Sequence, residues 1–101
     1  MDINQIMKKA QDLQSKMQKA QQELETVEVS GSAGGGGFSV KITLNGKGIA
    51  RRCEIDQSLM DDKSMLEDLI TAAFNNAKNK MDETVSDKMK SIGISPDMLN
   101  M

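Results

Sequence analysis

The chain has 101 residues, which suits a single domain with a modest core covering residues 1–101. A formal net charge of −2 excludes a uniformly basic nucleic-acid-binding domain, so any DNA-binding surface must be a local patch. Nine residues are Met and only two are aromatic, and a core that depends so heavily on Met suggests help from a second subunit.

The first predicted element is one long helix over residues 3–27. Its apolar positions alternate three and four residues apart, which is the heptad spacing of helices that pack along one stripe. Asp2 can cap its start, with Gln5 completing a capping box. The stripe either packs on a second helix of the same chain or pairs with another subunit, and the spacing leaves both open. The apolar positions are Ile3, Ile6, Ala10, Leu13, Met17, Ala20, Leu24 and Val27.

A β-region is predicted over residues 27–56. It begins with a short strand at Val27 and Val29, and a flexible loop of small residues follows from Gly31 to Gly37. Strict alternation of apolar and polar residues over 38–45 then predicts a strand with one buried face.

The sequence Asn45-Gly46 predicts a hairpin, because both residues accept positive φ angles. Residues 49–55 form the predicted return strand. Arg51 falls on the apolar face of that strand by parity, so we expect it near an edge or along an interface.

A second long helix is predicted over residues 63–91, where apolar residues recur at helical spacing. Its start can be capped by Asp61, by Asp62, or by Ser64 in a capping box. Gly93 is typical of a helix stop, and Pro96 lies just beyond it. We expect the tail, residues 95–101, to be poorly ordered.

The predicted fold is therefore α+β, in the order α-β-β-β-α, with a small antiparallel three-stranded sheet. A helix of about 25 residues is about 37 Å long, whereas a strand of eight residues spans about 27 Å. Both helices should overhang the sheet and form projecting arms, and we expect the protein to be a homodimer.

The sequence contains few candidate catalytic residues. There is no His, so the lone Cys53 cannot form a Cys–His dyad. The paired carboxylates of the second helix are adjacent in sequence and do not face each other as an acid–base or metal pair would. The glycine-rich loop lacks the Gly-Lys-Ser/Thr ending of a P-loop. We predict that the protein is not an enzyme and uses no metal, cofactor or small-molecule substrate.

Cys53 also bears on cellular location, because a single cysteine cannot form an internal disulfide and suits a reducing cytosol. The first four residues do not begin a signal peptide. No segment approaches the roughly 18 apolar residues of a membrane span. We therefore expect a cytoplasmic protein that does not enter a membrane.

Lysines are the informative charges, because they could contact a phosphate backbone if the two helices act as arms. The alternative is a solvated helix surface balanced by nearby acids. A second basic group lies on the β-region, where it could instead pair with acids or with a second subunit. The candidate DNA-binding residues are Lys8, Lys9, Lys16, Lys19, Lys78, Lys80, Lys88 and Lys90, and the second group is Lys41, Lys47, Arg51 and Arg52.

Several segments resemble the YbaB/EbfC family of nucleoid-associated proteins. The specific ones are Lys41–Gly46 and Arg51–Asp56 in the β-region, together with Met65–Ala77 in the second helix. Residues Met7–Gln11 and Lys16–Lys19 of the first helix are also similar. The match covers nearly the whole chain at consistent spacing.

The resemblance implies a cytosolic protein of the nucleoid, serving bacterial chromosome organisation, that binds double-stranded DNA as a homodimer whose helical arms could straddle the duplex. The sequence departs from the family at Cys53, where Val is usual and a buried strand position is implied. It also departs after Gly93, where it lacks the Gly/Pro/Phe-rich ending of some relatives.

We hypothesise that binding occurs chiefly through backbone phosphates with weak or no sequence specificity, because the chain has no helix-turn-helix, zinc-finger or basic-zipper signature. The competing hypothesis is a protein–protein adaptor that uses exposed Met-rich helix surface and does not bind DNA. The acidic net charge favours the adaptor.

Overall fold

Two long helices and a small antiparallel sheet make up the computed structural model, which describes residues 2–93. The predicted α+β class and α-β-β-β-α order are confirmed. The predicted tail lies outside the described residues, and the homodimer stays a prediction. The elements are α1 (Ile3–Thr26), β1 (Glu28–Gly35), β2 (Phe38–Asn45), β3 (Ala50–Ile55), a short 3₁₀ helix (Gln57–Leu59) and α2 (Lys63–Ile92).

Both helices begin at a capping aspartate, whose side chain satisfies a backbone N–H that has no partner within the helix. Asp2 accepts a hydrogen bond from the N–H of Asn4 at 3.2 Å. Asp62 is the residue that caps α2, and it accepts from the N–H of Met65 at 3.1 Å. Gly93 ends α2 in the left-handed conformation, with a φ of 88°, as its position after the helix predicts.

The predicted loop from Gly31 to Gly37 is wrong, because β1 continues in register with β2 as far as Gly35. Only the pair Gly36-Gly37 forms the turn, and both residues have the positive φ angles, 59° and 86°, that a tight two-residue hairpin needs. Gly31 is a strand residue whose lack of a side chain lets α2 lie directly on β1. A Cβ at this position would overlap the backbone of Ala77.

The second hairpin differs from its prediction in the residue that takes the positive φ angle. This residue is Gly48, with a φ of 82°, and neither Asn45 nor Gly46 has one. Asn45 instead contributes its side chain, whose oxygen accepts from the N–H of Lys47 at 2.8 Å and of Ile49 at 3.1 Å. The turn is therefore longer than predicted, and the return strand begins at Ala50.

Gly46 is needed where the hairpin meets the C-terminal end of α1. Its N–H donates to the carbonyl oxygen of Leu24 at 2.8 Å. A Cβ on Gly46 would lie 2.6 Å from that oxygen, so a larger residue would push the hairpin away from α1. This contact anchors the base of α1 to the sheet.

A β-bulge in β3 explains the unusual parity of Arg51. Thr43 pairs with Arg52, and Leu44 pairs with Ala50, so Arg51 is the extra residue on its strand. The bulge shifts the alternation by one, which is why a charged residue falls among apolar positions in the sequence.

The core lies between α2 and the first two strands. Val40, Leu44, Leu59, Ala73 and Ala77 are fully buried there. Burial of one Leu or Val side chain contributes about 1.5–3 kcal/mol, so this layer holds the domain together. No helix in the described range is both long and apolar enough to cross a membrane.

The third strand, β3, is not covered by α2, and every residue of β3 is exposed. Cys53 is therefore exposed within one copy of the chain, and the buried strand position implied by the Val usual in the YbaB/EbfC family is wrong for the single chain. The physical reason is that α2 contacts β1 and β2, which leaves the outer strand of the sheet without a covering layer.

Beyond the sheet, α1 and α2 pack on each other and form a smaller cluster of Ala20, Leu24 and Met89. The molecule is elongated, with extents of 68 × 19 × 18 Å. The helical lengths thus produce the overhang that the sequence predicts.

Candidate nucleic-acid interface

The heptad stripe of α1 is covered over only half of its length. Ala20 and Leu24 are buried against Met89 of α2, and Met17 is partly buried beside them. Towards the N-terminus the stripe is open, and Ile3 is 71% exposed. The first part of α1 is therefore an arm that presents its whole circumference, so lysines anywhere on it are accessible.

All lysines of α1 lie along one side of this arm. At about 100° per residue, Lys8, Lys9, Lys16 and Lys19 fall within an arc of about 100° around the helix. Lys9 and Lys16 border the apolar stripe, whereas Lys8 and Lys19 lie further round. None of them forms a salt bridge within residues 2–93. We define these side chains as the lysine arc.

The lysine arc is not purely basic, because Asp12 and Glu23 fall within the same sector of the helix. Neither carboxylate is bonded to a lysine in the described chain. Lys8 and Lys19 lie about 17 Å apart along the axis, a length of duplex that carries roughly ten phosphates. The arc is thus a moderately positive edge that a phosphate backbone can follow.

The lysines of α2 are spread around the helix. Lys78 already donates to Asp82 at 2.7 Å. Lys80 and Lys88 lie on the same side of α2 as Ala73 and Ala77, which pack on the sheet nearer the start of the helix. Lys90 lies on the opposite side. The outer face of the same segment is acidic, with Asp82, Glu83 and Asp87 lining a shallow depression. The structure therefore does not bring the α2 lysines together on one surface.

The basic group of the β-region is largely paired with acids of the same chain. Lys41 lies 3.9 Å from Glu54, and Arg52 lies 3.5 Å from Glu28. These pairs are on the sheet face away from α2, where their side chains are about half exposed. Such surface pairs contribute little stability, but they do neutralise the charge that a phosphate would need.

Lys47 completes this set by bonding to the end of α1. Its ammonium group donates to Glu25 at 2.9 Å and thereby lowers the pKa of that carboxyl group, with a smaller effect in the same direction from Arg51. Arg51, at the bulge, forms no salt bridge in residues 2–93.

An exposed apolar surface lies beside β3, and the sequence, which predicts an apolar face for this strand, does not indicate that the face is exposed. Ala50, Cys53 and Ile55 pair with Leu44, Ile42 and Val40 respectively, so they share the sheet face that α2 covers elsewhere. They are nevertheless exposed.

Phe74 of α2 borders the same surface. Asn76 accepts from the N–H of Ser32 in β1 at 3.2 Å, and Phe74 lies on the opposite side of the helix, towards β3. Phe74 is 40% exposed and Ile55 38%. We define Ala50, Cys53, Ile55 and Phe74 as the edge patch, which only the strand register and the position of α2 could reveal.

The comparisons with known proteins agree with this architecture. The family model of the YbaB/EbfC DNA-binding family matches residues 1–95. Among solved structures, the fold is similar to that of an uncharacterized protein, HP0035, from Helicobacter pylori, with a TM-score of 0.78 and 21% sequence identity. The alignment covers 91% of this chain and 97% of that chain. The family match supports a nucleoid-associated DNA-binding function, and the chain belongs to the YbaB/EbfC DNA-binding family.

Proposed function

We propose that the protein binds duplex DNA as a homodimer in the cytoplasm, chiefly by contacts between the lysine arc of α1 and backbone phosphates. It is a binding protein and not an enzyme. The observation that carries the site is the difference between the helices. The α1 lysines share one exposed side and form no salt bridges in residues 2–93, whereas Lys78 of α2 is bonded to Asp82.

Weak sequence specificity follows from the kind of contact. Lysine is a flexible point charge that binds phosphate without reading a base, whereas specific readout depends on side chains that reach base edges in a groove. Besides its lysines, this sector of α1 between residues 5 and 23 holds Gln5, Asp12 and Glu23, and α1 contains no Arg, the side chain that most often reads a base. Phosphate contacts fix the position of a protein on DNA but carry no sequence information directly.

The edge patch supports the homodimer. A small domain with two exposed apolar side chains, Phe74 and Ile55, gains free energy when a second copy covers them. The outer backbone edge of β3 also forms no hydrogen bond with the rest of residues 2–93, and an open strand edge is a ready site for pairing with another chain. The partner that we propose for this surface is the same surface of a second copy.

The test is fluorescence-anisotropy titration of a mixed-sequence duplex at about 50 and 200 mM salt. Wild-type protein should bind with a dissociation constant of about micromolar or tighter at the lower salt and weaken steeply at the higher one. Replacing the whole lysine arc with Gln should lower affinity for all sequences alike. The log–log salt slope should flatten by about 0.9 for each phosphate that the variant no longer neutralises.

The matched control replaces Lys78, Lys80, Lys88 and Lys90 with Gln, which changes net charge by the same amount. We expect a clearly smaller loss of affinity than for the lysine arc. Equal losses of affinity in the two variants would mean that overall charge decides binding and that the lysine arc is not the site.

The second candidate is a protein–protein adaptor without DNA binding, and the exposed apolar stripe at the start of α1 favours it. Wild-type protein that shows no duplex binding at either salt concentration would overturn the DNA proposal in favour of this function.

A further inference from the structure

An open groove runs along α1, beside the part of the helix that α2 covers. Its surface is mostly apolar, and the glutamines at its rim carry no charge. A groove of this kind suits an apolar peptide segment, because it offers apolar surface to bury and no cation to a phosphate. We define it as the α1 groove, and it is lined by Ala10, Leu13, Gln14, Met17, Gln18 and Gln21.

The last residues of α2 lie at one end of the α1 groove. The base of α1 meets the second hairpin at Leu24, and Met81 of α2 lies beside the same hairpin. About two turns later, Met89 is buried against Leu24 and Ala20. The helix α2 therefore runs along α1 towards the N-terminus of α1, and Gly93 lies about 6 Å beyond Met89 in this direction. The α1 groove continues from there.

The residues that follow Gly93 are long enough and apolar enough to fill the groove. Segment 94–101 contains four apolar residues, and its only charged side chain is Asp97. The groove measures about 12 Å from Gln18 to Ala10. Eight residues span about 26 Å as a strand and about 12 Å as a helix, so the segment reaches Ala10 in either conformation.

The end of α2 directs the chain towards α1. Gly93 is in the left-handed conformation, and its N–H donates to the carbonyl oxygens of Met89 and Lys90. In helix ends of this kind, the residue after the glycine commonly packs on an apolar residue of the last turn, which here pairs Ile94 with Met89. Because Met89 is itself buried against α1, this contact turns the segment towards the groove.

The sequence of the segment also indicates a short helix that needs a surface to pack on. Ser95 is suited to cap a helix, Pro96 to occupy its first position, and Asp97 to lie in its first turn. A helix of so few residues is not stable alone in water. Burial of its apolar side chains would supply the missing stability.

We propose that segment 94–101 docks in the α1 groove of the same chain and extends the packing between the two ends of the chain from Met89 towards Ala10. The groove then orders a segment that local sequence alone predicts to be poorly ordered. The lysine arc is centred about 160° around α1 from the groove, so the docked segment leaves the lysines free. The docking requires neither DNA nor a second copy.

The test is disulfide trapping within one chain. Gln14→Cys and Asn100→Cys are introduced together into a Cys53→Ser background, which removes the only native cysteine. The matched control combines Ser15→Cys with Asn100→Cys. Ser15 is exposed at the same level of α1 but lies about 120–130° around the helix from the groove. All three substituted positions of α1 and the segment are polar, so the apolar contacts of the docked segment are kept.

Under mild oxidation we expect the Gln14→Cys pair to form an intrachain disulfide at least roughly tenfold faster than the control pair, with the mobility of a single chain on non-reducing gels. Adding Met98→Ser and Leu99→Ser should lower this rate to that of the control, because these side chains hold the segment in the groove. Equal rates for the two pairs, or an advantage that survives the serine substitutions, would overturn the proposal. Covalent dimers as the main product would overturn it in favour of a segment from a second copy.

Discussion

The two helices carry apolar stripes of similar spacing, yet the structure uses them differently. Along α2, Ala73, Ala77 and Met81 are buried against the sheet, and Met89 is buried against α1. Along α1 the stripe is buried only near its C-terminal end, and Ile3 remains 71% exposed. Apolar spacing thus identifies the side of a helix that can be buried, while the length and position of the neighbouring elements decide how much of it is.

The largest effect should come from separating α2 from the sheet with Gly31→Val. A valine side chain at this position would collide with the backbone of Ala77, which cannot move without lifting α2 from β1. The free energy of unfolding of a small domain is about 5–15 kcal/mol. Forcing a whole side chain into a closely packed contact removes several kcal/mol of this free energy. We expect the variant to be largely unfolded by far-UV circular dichroism at room temperature.

Gly35→Ala is the matched control, because a Cβ on Gly35 meets no atom within 4 Å. It lies in the same strand and also replaces glycine, and we expect its urea-unfolding midpoint to equal or slightly exceed that of the wild type. A native-like midpoint for Gly31→Val would show that the close approach of helix and strand is not needed.

The fold can be predicted from sequence where local signals and tertiary contacts agree. The alternation from Phe38 to Asn45 identifies β2, and Asp62 and Gly93 mark the ends of α2. The glycines of β1 mislead, because Gly31 is required by contact with a helix residue more than forty positions away and not by a turn. Sequence alone shows the residue type but not the neighbour that requires it.

We expect a smaller effect on stability from shortening methionines of the two helices, and this effect should differ between the covered and the exposed parts of the helices. Met89→Ala removes a fully buried side chain between α2 and α1, which typically costs 2–5 kcal/mol. Met7→Ala makes the same chemical change on α1 where the side chain is 56% exposed, and we expect a change within about 0.5 kcal/mol. Urea unfolding of both variants measures the contrast. A cost for Met7→Ala as large as that for Met89→Ala would show that the arm is covered in solution.

The candidate site is only partly accessible to sequence reasoning. The lysines of α1 stand out in the sequence, but their use as one surface depends on the helix being exposed there. The pairing of Lys41, Lys47 and Arg52 with acids follows from strand register and from the hairpin touching α1. Ile55 and Phe74 are distant in sequence and ordinary in type, so the edge patch requires the packed structure.

The smallest effect that we predict concerns the anchor between the base of α1 and the hairpin. The ammonium group of Lys47 lowers the pKa of Glu25 in the folded protein. A carboxyl group whose folded pKa is lowered stabilises the fold above its unfolded pKa, and this contribution is lost as pH falls through the folded pKa. Glu25→Gln should therefore be slightly less stable than wild type at neutral pH and equally stable in acid.

Urea-unfolding midpoints measured for both proteins at several pH values test this prediction, with Glu83→Gln as the control. Glu83 is also exposed on a helix and forms no salt bridge in residues 2–93. A difference between Glu25→Gln and wild type that persists unchanged in acid would contradict the role of the ion pair. The hydrogen bond from Gly46 to Leu24 would then be the contact that holds the base of α1 to the sheet.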